Sequence, residues 1–217
     1  MKSAVIFDMD GVLVDNRDVH IEAFQKLFEK EGLHATYEQI LMTFGMVNTE
    51  IFDTLFGKGK FTPEQVKRMT DEKEEIYRDI FAKKIEPAPG LIDFLKELKS
   101  KGTKIAVGSS GPRVNVEFVL ERCAIGEYFD AIADGNMISK GKPDPEVFLL
   151  AASLLDKNPE QCIVFEDALV GIEAGKRAGM TVIAMDTTFP EERLEGSGYD
   201  KLIHTFKDVD ATILEQF

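Results

Sequence analysis

Residues 4–15 read AVIFDMDGVLVD: an apolar run, Ala4 to Phe7, ends in Asp8 and Asp10, with Gly11 directly after them. Four consecutive apolar residues suit a strand buried on both faces, as in a parallel sheet. Ionised carboxylates at its mouth are costly to bury unless paired, hydrogen-bonded or bound to a metal. The stretch therefore predicts a buried strand that delivers two acids to a cation.

Working outward, further runs share this character: TKIAV at 103–107, CIVF at 162–165 and TVIAM at 181–185. Helical patterns separate them. LIDFLKELKS places Leu91, Phe94, Leu95 and Leu98 on one face, and EVFLLAASLL follows an Asp144-Pro145 start. Strands alternating with helices predict a doubly wound α/β fold around a parallel sheet.

Residues 17–81 break the alternation, with no strand pattern and several helices in succession. One ends near Gly32, one opens with Thr36 and Gln39, and one opens with Thr62-Pro63 and Gln65 at the capping-box position. In the last of these Val66, Met69, Ile76, Tyr77 and Ile80 form the expected apolar stripe, and the run DEKEE at 71–75 is read as a solvated face. The expected division is a core of 1–16 and 82–217 with an all-helical insert of 17–81, which returns through the stiff IEPAPG segment at 85–90.

A formal net charge of -13 over 217 residues argues against a nucleic-acid partner, which clustered Lys and Arg would have to hold. An anionic substrate then needs a locally positive pocket. Cys123 and Cys162 lack metal-ligand spacing and read as structural thiols of a reducing compartment. No charged leader, cleavage site or membrane-length apolar segment is found, so the expected location is cytoplasmic, with no membrane partner and a monomer or weak dimer.

Ligands of a parallel α/β sheet bind at the carboxyl ends of its strands. Those ends carry Asp8 and Asp10, then Gly108, Ser109 and Ser110, then Glu166 and Asp167, while the SKGKPDP loop at 139–145 adds Lys142. Converging carboxylates repel unless a hard cation lies between them, and magnesium, held by a few carboxylates plus substrate oxygens, matches this inventory. Phosphoryl chemistry follows. No Ser-His-Asp arrangement and no GxGxxG or GxxxxGK[ST] loop is present, and the histidines are scattered at 20, 34 and 204. The nucleophile is then a carboxylate, which attacks phosphorus to give an acyl phosphate that water cleaves.

FDMDGVLVD resembles the first motif, DxDGxxxD, of the haloacid dehalogenase (HAD) superfamily. VGSS resembles the second motif, GKPDPEVF the lysine motif, and FEDALVGIEAGKRAG the acidic fourth motif of the sugar-phosphatase and β-phosphoglucomutase branch. The resemblance spans essentially the whole chain and implies a Rossmann-like core, with a helical cap where the 17–81 insert lies. It implies Asp8 as nucleophile and metal ligand, and Asp10 as general acid and base with its carbonyl on the metal. Ser109 and Lys142 would hold the phosphoryl oxygens, with Ser110 as the alternative, and Glu166 and Asp167 would complete a Mg2+ shell.

His20, at the start of the cap's first helix, is assigned a substrate or gating role by the same resemblance. FGMVNTE at 44–50 is similar to a cap segment in which relatives often carry an arginine for the substrate's distal group. Here Asn48 and Thr49 stand, making Asn48 the substrate-facing candidate, with Lys58 and Lys60 of FGKGKF as replacement cations. The activity implied is Mg2+-dependent hydrolysis of a small phosphorylated metabolite, a sugar phosphate, through a phosphoaspartate. A β-phosphoglucomutase is the alternative, and a non-catalytic phosphate-binding regulatory module is the reading from another class.

Overall fold

β1 (Ala4–Phe7) is completely buried at the middle of a parallel sheet, as its composition requires. The fold is that of a computed structural model, which describes residues 2–217. β1 pairs on one side with β2 (Lys104–Gly108), which pairs with β3 (Ala131–Ala133). On its other side lie β4 (Cys162–Glu166), β5 (Thr181–Met185) and β6 (Lys201–Ile203), giving the order β3-β2-β1-β4-β5-β6. The strand order reverses between β1 and β4, which is where sheets of this kind open a crevice for ligands. Phe7 is in register with both Val107 and Phe165, so the residues that follow these strands emerge at one level.

Helices α1 (Arg17–Lys30), α2 (Tyr37–Leu41), α3 (Asn48–Phe56) and α4 (Pro63–Phe81) follow β1 without an intervening strand. Capping boxes open α2 at Thr36 and Gln39 and α4 at Thr62 and Gln65, as the sequence predicts. The chain then re-enters the sheet layers through α5 (Leu91–Ser100), α6 (Arg113–Arg122), α7 (Glu146–Leu154) and α8 (Leu169–Arg177). α5 buries the expected face, Leu91, Phe94, Leu95 and Leu98. Phe94 packs edge-on against Phe7 and Phe165, whose rings stack on each other at 5.1 Å.

Several elements differ from the reading above. β3 and β6 are edge strands of three residues, too short to show a periodicity. α3 has Val47 at its N-cap, with no side-chain cap to announce it, and α6 likewise starts behind Pro112.

The DEKEE segment is a solvated face only in part: Asp71 and Glu75 are exposed, but Lys73 and Glu74 are buried, at 3% and 4% exposure. The buried line along α4 is Met69, Lys73, Tyr77 and Phe81, spaced at i+4, while Val66, Ile76 and Ile80 are only half-buried. Cys123 and Cys162 are buried free thiols, and burial pushes both up to about 11. No helix among the described residues is long and apolar enough to cross a membrane.

Candidate active site

Asp8 is the first residue beyond β1, and its N–H donates to the Phe165 carbonyl at 3.0 Å. The chain then doubles back, with the Gly11 N–H donating to the Val14 carbonyl at 2.8 Å. Gly11 has φ +79°, and a Cβ placed on it would lie 1.8 Å from Oδ2 of Asp167. Glycine here therefore gives its side-chain space to Asp167. Gly11→Ala is expected to lose about 1–2 kcal/mol from the left-handed backbone alone and to reduce turnover by displacing Asp167. Urea unfolding and phosphate release measure the two effects; wild-type values for both would refute this account.

Lys142 is fully buried, an exceptional state for a lysine, and is paired on two sides. Its Nζ donates to Asp8 Oδ1 at 2.5 Å and to Glu166 Oε1 at 2.7 Å, and it lies 4.6 Å from the centre of the Phe148 ring. Glu166 Oε2 accepts the N–H groups of Asp167 and Ala168, each at 2.7 Å, at the N-terminus of α8. Both oxygens of Glu166 are thus committed to holding Lys142 and the start of α8. Glu166 anchors Lys142 beside Asp8 and fixes the loop that carries Asp167. Gly171 provides the room, since a Cβ there would be 1.7 Å from Glu166 Oε1.

Burial pushes the Asp8 carboxyl up to about 8; Lys142 opposes the rise, while Glu166 and Asp10 add to it. Burial likewise raises Asp167 well above the usual carboxylate range, with Glu166 and Asp8 contributing. Burial acts the same way on Asp10, but there the neighbours win: His20, Asn16 and Lys73 hold it below the usual range. The two acids of the opening motif therefore stand in opposite electrostatic settings.

Asp10 Oδ1 accepts from Asn16 Nδ2 at 2.6 Å and faces His20 Nε2 at 3.2 Å. Asn16 sits at the N-cap of α1 but does not cap it; its amide bridges Asp10 and the Tyr77 hydroxyl at 2.7 Å instead. The His20 ring stacks on Tyr77 at 4.0 Å, and its Nδ1 is 2.9 Å from Lys73 Nζ. Lys73 also donates to Glu74 Oε1 at 3.0 Å, completing a chain Asp10–His20–Lys73–Glu74. Glu74 further accepts from Asn48 Nδ2 on Oε1 and from Asn115 Nδ2 on Oε2, both at 2.7 Å.

These groups surround a cavity of about 50 Å³ between the helical segment and the carboxyl edge of the sheet. Asp8, Asp10, His20, Asn48, Ser110 and Asp167 of the expected set line it. Lys142 and Glu166 stand behind Asp8. Ser109 is buried, and its Oγ accepts the Gly111 N–H at 3.0 Å, which leaves the hydroxyl proton free to donate. Ser110 already donates to the Gly45 carbonyl at 2.7 Å.

Asn48 makes its contact to Glu74, and Lys58 and Lys60 are exposed away from the cavity, Lys60 lying over the Phe56 and Phe61 rings. The sequence reading missed Asn16, Lys73, Glu74 and Asn115. The i+4 spacing of Lys73 from Met69 and from Tyr77 was the available signal for one of them.

The expected carboxylates meet at one edge of the sheet, Asp8, Asp10 and Asp167 on the cavity and Glu166 behind Asp8, although among the described residues no three acidic, His or Cys side chains are already set as a metal-holding group. The donor chemistry nevertheless fits magnesium, which takes one or two carboxylates and fills its shell with substrate oxygens and water. Asp8 and Asp167 face the cavity with carboxyls driven up by burial and mutual repulsion, and a cation would relieve both.

The sequence matches the model of the haloacid dehalogenase-like hydrolases over residues 5–185. It is 34% identical over 181 residues to a phosphorylated carbohydrates phosphatase of Thermotoga maritima, covering 82% of each chain. It is also 34% identical over 203 residues to Protein SUPPRESSOR OF QUENCHING 1, chloroplastic, of Arabidopsis thaliana, of which it spans only 19%. Among solved structures it resembles β-phosphoglucomutase from Clostridium difficile, with a TM-score of 0.88, 29% identity and coverage of 100% of this chain and 96% of that one. With the motifs at the expected strand ends, the chain belongs to the haloacid dehalogenase-like hydrolases, in the branch of sugar phosphatases and β-phosphoglucomutases.

Proposed function

We propose that this enzyme is a magnesium-dependent phosphatase that hydrolyses a small sugar or polyol phosphate through an aspartyl phosphate at Asp8. The observation that carries the reading is the pairing of Asp8 with Asp10 across one cavity, Asp8 backed by Lys142 and Asp10 held by Asn16 and His20. A nucleophile and a proton carrier need separate settings, and Asp8, whose carboxyl burial pushes up to about 8, would with the cation bound be ionised for attack.

In the first half-reaction Asp8 attacks phosphorus while Asp10 gives a proton to the leaving oxygen. The approaching phosphoryl dianion raises the proton affinity of Asp10, countering His20 and Lys73. In the second, Asp10 takes a proton from water, the water attacks phosphorus, and Asp8 is regenerated. Lys142 has three N–H donors, two of them engaged with Asp8 and Glu166, and the third is available to a phosphoryl oxygen. Ser109, with its proton free, is the matching hydroxyl donor. Asp8, Asp167 and the Asp10 carbonyl would hold a magnesium ion, which when bound neutralises charge on the phosphoryl oxygens.

We assign residues 17–81 as a cap, with 1–16 and 82–217 as the core. The cap opens about its two connections to admit substrate, because a cavity of about 50 Å³ is far below the roughly 300 Å³ at which small-molecule pockets begin. The mutase reading is supported by the structural likeness to a β-phosphoglucomutase and opposed by the lack, among the described residues that line the cavity, of an unpaired cation for a second phosphate: Lys73 is bonded to both His20 and Glu74.

The test is an assay of sugar phosphates with and without magnesium, run beside β-glucose 1-phosphate with a bisphosphate primer. Magnesium-dependent phosphate release is expected, abolished by excess chelator. Formation of glucose 6-phosphate faster than phosphate release from any ester would establish the mutase instead.

A further inference from the structure

Glu74 has no task in the steps above, yet it is a buried carboxylate on the wall of the reaction cavity. It reaches this place because Lys73 and Glu74 share the side of α4 that faces the sheet edge. Burial alone would raise its carboxyl, but Lys73, His20, Asn48 and Asn115 hold it below the usual range, so it is ionised at neutral pH. A carboxylate offers about four acceptor positions. Asn48, Lys73 and Asn115 take three, leaving one for a ligand.

Its position along the chain Asp10–His20–Lys73–Glu74 defines what it meets. Asp10 protonates the leaving oxygen, so the body of the leaving group extends from Asp10 into the space that Glu74 walls. Among the described residues Lys73 is the sole lysine or arginine lining the cavity, and its hydrogen bonds go to His20 and Glu74. A hydroxyl arriving there finds an acceptor. A second phosphate finds a carboxylate and no unpaired cation, an arrangement that selects by repulsion as well as by attraction.

The geometry points to Glu74 as the residue that selects the leaving group: its carboxylate, set between Asn48, Lys73 and Asn115, accepts from a hydroxyl of a neutral sugar or polyol and turns away a leaving group bearing a second phosphate. This assignment rests on the phosphatase reading, and it gives that reading a substrate class: monophosphate esters of neutral, hydroxyl-rich alcohols.

The experiment compares kcat/KM for matched esters, fructose 1-phosphate against fructose 1,6-bisphosphate and glucose 1-phosphate against glucose 1,6-bisphosphate, in wild type, Glu74→Gln and Glu74→Asp. Wild type is expected to favour the monophosphate of a pair by at least about tenfold, the scale of one unfavourable charge contact. Glu74→Gln should narrow that ratio by about tenfold and raise KM for the monophosphate more than it lowers kcat. Glu74→Asp, which keeps the charge, should keep most of the ratio.

Asn48→Lys provides an independent route that leaves Glu74 in place, since a cation beside the carboxylate should also narrow the ratio. An unchanged ratio in both Glu74→Gln and Asn48→Lys overturns the assignment. Turnover of p-nitrophenyl phosphate by wild type with none of the monophosphates accepted overturns it as well. Failure of wild type to release phosphate even from p-nitrophenyl phosphate removes the phosphatase reading itself, and the assignment with it.

Discussion

Asp8→Asn is expected to reduce phosphate release by roughly four orders of magnitude or more, the scale on which removal of a nucleophile acts. An amide is a poor nucleophile toward phosphorus and forms no acyl phosphate. The fold should survive, because the Asn oxygen can still accept from Lys142 and the Asp8 N–H bond to the Phe165 carbonyl does not involve the side chain. The amide replaces a carboxyl whose ionisation burial, Glu166 and Asp10 oppose, so the thermal midpoint should stay level or rise. The check is a pair of measurements on one sample: turnover with magnesium and thermal unfolding. Substantial hydrolysis by folded Asp8→Asn would end the nucleophile assignment.

Lys142→Met is expected to be the most damaging substitution for stability. The side chain is fully buried and its ammonium group is bonded to Asp8 and Glu166, so its loss leaves two carboxylates facing each other without their shared counter-charge. Breaking a buried ion pair by removing one partner costs about 3–5 kcal/mol, and methionine restores little beyond volume. Activity should fall with it, since a phosphoryl oxygen loses a donor and Glu166 loses the partner that fixes it above α8. Urea unfolding reports the first effect and phosphate release the second. A variant as stable as wild type would mean that Lys142 contributes no net stabilisation to its two partners.

The legible part of the molecule was local in sequence. AVIF followed by two acids announced both the central strand and the carboxyl edge, because burial on two faces and the placing of Asp8 depend on adjacent residues. The capping boxes at Thr36 and Thr62 were legible for the same reason. The missed parts depend on distant partners. Glu74 looks solvated until α4 is packed beside Asn115 of α6, 41 residues away, and Lys73 until it meets His20, 53 residues away. Glu166 and Asp167 are neighbours of the same charge, but one turns under α8 to Lys142 and the other toward the cavity. Residue type alone does not separate such a pair.

The hydrogen bonds that cross the cavity also bear on kinetics. Ser110 to Gly45, Asn115 to Glu74 and Arg78 to Asn115, each 2.7 Å, tie the two sides together around a space too small for a sugar phosphate. On the proposed opening, substrate enters only the fraction of molecules in which these ties are broken. Apparent affinity falls in proportion to that fraction, so an open form present at about one part in ten weakens it tenfold. Product leaves through the same parting of the two sides, making that motion a candidate for the slowest event of the cycle. Loosening one of the ties would then trade a slower chemical step for faster exchange with solvent.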